Sequence, residues 1–98
     1  MYRIRLNQLK SGIHQLWLQE GLDAVENGVY PLSELREAIQ QGLETEIDYL
    51  DTKKPLSTTH AEGIELHKKR NERYLSALKT GKAVTIDFGY DGEVEVPV

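Results

Sequence analysis

Val84-Thr85-Ile86-Asp87-Phe88-Gly89-Tyr90-Asp91-Gly92-Glu93-Val94-Glu95-Val96-Pro97-Val98 contains two alternating apolar runs around a turn signal. Val84, Ile86 and Phe88 alternate with other residues, and so do Val94, Val96 and Val98. If Tyr90-Asp91-Gly92 forms a three-residue loop with Gly92 left-handed, residue 89 pairs with residue 93. Phe88 then opposes Val94, Ile86 opposes Val96 and Val84 opposes Val98, so all six lie on one face. A two-residue Asp91-Gly92 turn would set Phe88 against Glu95, so the register favours the longer loop. An isolated hairpin is marginal in water and must pack on the rest of the chain.

The residues before the hairpin read as helices. Thr59-His60-Ala61-Glu62 matches a capping box, and the spacing predicts a helix to about Lys79, ended by Gly81. Its stripe is Ile64, His67, Tyr74, Leu75 and Leu78, with a polar middle over Lys68–Arg73. Upstream, Leu32, Leu35, Ile39, Leu43, Ile47 and Leu50 recur at three and four residues, a helix opened by Pro31 or Ser33. Gly42 interrupts that stripe at modest expected cost. Lys53-Lys54-Pro55 ends this helix, because the residue before a proline is pushed out of the helical region. Residues 31–52 carry Arg36 against six acidic side chains, whereas 53–82 carry eight Lys/Arg against three Glu. The two helices thus read as an antiparallel hairpin, acidic against basic.

Further upstream, Leu9, Ile13, Leu16, Trp17 and Ala24 have roughly helical spacing, weakened by Gly12 and Gly21. A helix over Asn7–Asn27 is favoured, with a strand through Ile13–Leu18 as the alternative. Tyr2, Ile4 and Leu6 alternate with Arg3 and Arg5, as in a half-buried strand. The expected fold is α+β: a short N-terminal strand, two to three helices including the helical hairpin, and a C-terminal β-hairpin.

At 98 residues the chain reads as a single domain, 1–98. It has no cysteine, which excludes disulfides, a thiolate nucleophile and cysteine-based metal sites. It also lacks the apolar run needed to cross a bilayer, and its first residues alternate rather than form a leader. The expectation is a cytoplasmic protein that does not engage membranes. The net charge of −4 is too mild to favour or disfavour nucleic acid.

Each group that suggests chemistry has a simpler structural role. His60 and His67 share a helix face, but zinc pairs usually stand closer in sequence. Asp91 is a turn residue, and Glu93 and Glu95 fall on the face opposite the valines. Thr59 is assigned to the cap, which leaves Ser57, Thr58 and His60 without triad geometry. The glycines form no phosphate loop. No catalytic, metal or cofactor-binding residue is therefore expected. Lys68-Lys69-Arg70 and Arg73 fan around a helix, with Glu65 and Glu72 in pairing reach. Among the aromatics, Tyr90 is the best candidate for contact with a partner, since a residue at a turn tip gains little from its own core.

Residues 1–43 resemble ribbon-helix-helix repressors and antitoxins: Arg3 and Arg5 on a strand, then Ser33-Glu34-Leu35-Arg36-Glu37-Ala38-Ile39 opening a second helix. That resemblance implies a dimer whose Arg3 and Arg5 enter the DNA major groove. The segment Gly21–Tyr30 is long for that fold, and the C-terminal hairpin lies outside it. Leu78-Lys79-Thr80-Gly81-Lys82-Ala83-Val84 followed by Asp91-Gly92-Glu93-Val94 resembles the helix-to-hairpin junction of small phage head–tail joining proteins.

The leading expectation is a small non-catalytic protein-interaction module, a phage or bacterial assembly or inhibitor component, monomeric or homodimeric, acting through Tyr90 and Asp91. A dimeric DNA-binding regulator using Arg3 and Arg5 is the alternative. A small metal-dependent enzyme around His60 and His67 comes third.

Overall fold

The computed structural model describes residues 2–98, with side chains described from residue 4 onward. Four helices precede a β-hairpin: α1 (Tyr2–Leu9), α2 (Gln15–Glu26), α3 (Leu32–Thr52), α4 (Thr58–Lys79), β1 (Val84–Asp87) and β2 (Glu93–Val96). The fold is α+β. The core gathers Leu6 and Leu9 of α1, Leu18 and Ala24 of α2, and Leu35, Ile39 and Leu43 of α3. Leu78 of α4 joins them, as do Val84, Ile86, Val94 and Val96 of the hairpin. Each leucine or valine moved from water to this core contributes roughly 1.5–3 kcal/mol.

The expected N-terminal strand is a helix. Leu6 and Leu9, three residues apart, are buried together, while Ile4 stays 62% exposed. Three alternating apolar residues fit a strand only if a neighbouring strand receives them, and the sheet consists of β1 and β2. The single helix expected over 7–27 is instead divided between α1 and α2 by the turn at residues 10–14. That turn is held by α3: the Thr45 hydroxyl donates to the Lys10 carbonyl (3.0 Å). The Ile13 N–H donates to Glu46 Oε2 (2.5 Å). Gly42 makes this approach possible. A methyl group there would lie 2.0 Å from the Leu9 carbonyl oxygen, so the glycine is a packing requirement rather than a tolerated interruption.

α3 and α4 lie antiparallel, as the pairs Asp51–Lys68, Glu46–Asn71 and Arg36–Leu78 record. Pro31 stands at the N-cap of α3. The cap of α4 is Ser57 rather than Thr59: its hydroxyl accepts from the His60 N–H (3.1 Å). His60 in turn accepts from the Leu56 N–H through Nδ1 (3.0 Å), doing the job expected of Glu62. An acceptor three residues inside the helix satisfies an orphan donor whether it is a carboxylate or an imidazole.

The hairpin keeps its expected face and changes its register. Val84 pairs with Val96, Ile86 with Val94 and Asp87 with Glu93. The turn is Gly89-Tyr90-Asp91, one residue earlier than expected, because Gly89 and Gly92 both take positive φ (69° and 87°). Moving the loop by one residue displaces the pairing by two, which leaves every side chain on its original face. Phe88 consequently leaves the ladder half-buried, and Val98 lies beyond the strand, 76% exposed.

Candidate functional site at the hairpin loop and the adjoining cleft

The hairpin packs on α4 through β1 and on α2 through β2. That leaves Thr85, Asp87, Glu93 and Glu95 on the exposed face. With two strands in the sheet, each strand has one backbone edge without a strand neighbour. At the loop, Tyr90 is fully exposed and Asp91 is exposed beside it. The loop itself is braced from within. Phe88 N–H donates to the Gly92 carbonyl (2.8 Å), and Gly89 N–H donates to Asp87 Oδ1 (2.8 Å).

Arg3 and Arg5 sit on α1, so the ribbon expected to carry them into a DNA groove is a helix. The side chain of Arg3 lies outside the described residues. Arg5 is engaged, with Nε paired to Glu20 and Nη1 donating to Gln8 Oε1 (2.9 Å). The two arginines and the Tyr90–Asp91 pair occupy different elements.

The basic stretch of α4 divides. Lys68 pairs with Asp51 on α3, and the bound carboxylate raises the lysine pKa above its ordinary value against the opposing effect of desolvation. Lys79 pairs with Glu44 (3.4 Å). The acidic–basic complementarity of the two helices is realised at these points. Lys69 and Arg73 remain exposed, without an ion pair among the described residues.

Between α3, α4 and the hairpin loop lies a cleft of about 560 Å³. Its polar centre is Glu46, whose Oε2 takes the Ile13 N–H and whose Oε1 takes Asn71 Nδ2 (3.0 Å). His67 Nε2 stands 3.7 Å from the same Oε1. Tyr74 accepts from the Asp87 N–H (3.2 Å). Arg70 lines the cleft half-buried, and its Nε is buried without a hydrogen-bond partner.

His60 and His67 do not converge on a metal centre: the first caps α4 and the second faces Glu46. Among the described residues no group of three or more His, Asp or Glu side chains is arranged to hold a metal ion. The sequence reading placed Arg70 in a basic run and Tyr74 on the apolar stripe, and did not bring them together with Glu46 and Asn71. The available signal was an asparagine in the polar middle of α4, and Asn71 is 3% exposed there. Comparison of the chain with family models, curated proteins and solved structures gives no match.

Proposed function

We propose that this chain is a protein-interaction module without catalytic activity, and that the hairpin loop is its contact element. One observation carries the proposal: Tyr90 projects from a braced loop with its whole surface in solvent. An aromatic in that position contributes almost nothing to its own fold. Covered by a partner, it supplies the large, conformationally inexpensive contact typical of interface anchors. Asp91, Asp87, Glu93 and Glu95 surround it with negative charge, which favours a partner with a basic surface and fast, salt-sensitive association. The partner fits the assembly or inhibitor systems of bacteria or phages, or is a second copy of the chain.

The test compares the intact chain with Tyr90→Ala and with Glu93→Lys/Glu95→Lys, each checked for unchanged thermal unfolding. The proteins retained from host extract and the mass of the purified chain in solution are measured together. A retained protein, or a dimer, that both variants lose and that salt weakens is the expected result. Identical retention and identical mass for all three chains would overturn the proposal.

A further inference from the structure

In the cleft, Glu46 receives two protein donors, the Ile13 N–H and Asn71 Nδ2, and Asp87 Oδ1 receives the Gly89 N–H. Other donors of the lining have no protein acceptor among the described residues. Arg70 makes no hydrogen bond or ion pair among the described residues, and its Nε is out of contact with solvent. The Tyr74 oxygen accepts from Asp87, which leaves its own proton to give. Lys53 stands over the Tyr49 ring at 5.5 Å and makes no ion pair among the described residues. The half-buried guanidinium has no partner among the described residues, and an acceptor group placed in the cleft would supply one. Leu43, Leu50, Ile86 and Phe88 add an apolar wall, beside the polar His67 and Asn71.

The geometry points to a binding site for a small organic acid. Its carboxylate would be held by Arg70 and Tyr74, and its apolar body would lie against Leu50, Ile86 and Phe88. Carboxylate suits this cleft because the fork of an arginine and a phenolic proton meet its two oxygens. The apolar lining disfavours a bare inorganic anion, which has no surface to cover it. The assignment does not depend on a partner at Tyr90, since its donors lie on α4 and its acid is a free molecule.

The probe is 3-phenylpropionate, compared with 3-phenylpropanamide, which has the same body and no charge. Both are titrated into the isotope-labelled intact chain and followed by amide chemical shifts. A ligand of about ten heavy atoms is expected to bind at roughly millimolar strength. The expected result is a saturable shift confined to Glu46–Tyr49, Arg70, Asn71, Tyr74 and Asp87–Gly89, with the amide binding about ten-fold more weakly. Arg70→Gln and Tyr74→Phe should each weaken the acid several-fold and leave the amide unchanged. Arg73→Gln, the neighbouring exposed cation, should leave both unchanged. Equal binding of acid and amide would overturn the assignment. So would acid shifts tracking Lys69, Arg73 and Lys82, or acid binding indifferent to Arg70→Gln. The acid–amide comparison on the unaltered chain decides the matter even where a variant folds poorly.

Discussion

Arg36 fastens three parts of the molecule with one side chain. It is 8% exposed, and its guanidinium donates to the carbonyls of Leu78, Lys82 and Pro97 at 3.1, 2.8 and 2.6 Å. Leu78 lies in the last turn of α4, where carbonyls are left without helical partners and the helix dipole is negative. A cation there satisfies the orphans and complements the dipole, while the bond to Pro97 holds down the end of the hairpin. Arg36→Met removes the donors but keeps much of the packing, which leaves buried carbonyls unpaired. The expected loss is about 3 kcal/mol, read as a fall in Tm of roughly 15 °C by circular dichroism. A fall under about 3 °C would show that water replaces the guanidinium without cost. In the sequence Arg36 was only the lone cation of an acidic helix, because its acceptors are backbone atoms more than forty residues away and no side-chain pattern encodes them.

Between elements, the decisive distances are set by glycines that look alike in the sequence. Gly42 lies in α3 where the Leu9 carbonyl crosses it, and a Cβ would meet that oxygen at 2.0 Å and Ile13 Cδ1 at 2.9 Å. Gly63 lies in α4 with nothing within 4 Å of a built Cβ. Alanine at the first site forces α1 away from α3, at an expected cost of about 3 kcal/mol. At the second it removes only the entropic penalty of a helical glycine and should stabilise by about 0.5–1 kcal/mol. Urea unfolding of Gly42→Ala and Gly63→Ala measures both, and shifts of the same sign would refute the assignment. Periodicity made α3, α4 and the alternating hairpin legible, since each follows a local rule. It misread Tyr2–Leu6 because five alternating residues satisfy both periods until a neighbour is specified. The cleft was hidden for a related reason: its lining comes from α3, α4 and the hairpin, and Asn71 and Arg70 look like members of a solvated basic run.

Across the whole molecule, burial is concentrated at one end of the helical hairpin. The chain measures 46 × 26 × 23 Å, and its long dimension reflects the reach of α3 and α4. Leu50 is the last buried residue of α3 and Asn71 the first of α4. Between them, residues 51–59 are all exposed, with Leu56 at 90% and Leu66 at 69%. The tip is held by the Lys68–Asp51 pair and the Ser57–His60 cap, which are surface interactions of modest strength. The other end is closed by Arg36, the hairpin valines and the α1–α3 crossing. Opening free energy should therefore fall along α3 and α4 towards their connection. Native-state hydrogen exchange is expected to show amides of residues 51–66 exchanging through local opening, with little dependence on low denaturant. Amides of Leu35–Leu43, Leu18–Ala24 and the β1–β2 ladder should exchange only on global unfolding. Lys68→Gln should accelerate exchange at the tip and leave the core amides almost unaffected. Uniform protection from residue 35 to residue 78 would instead mean that the helical hairpin unfolds as a unit, and that the cleft between its helices is as rigid as the core.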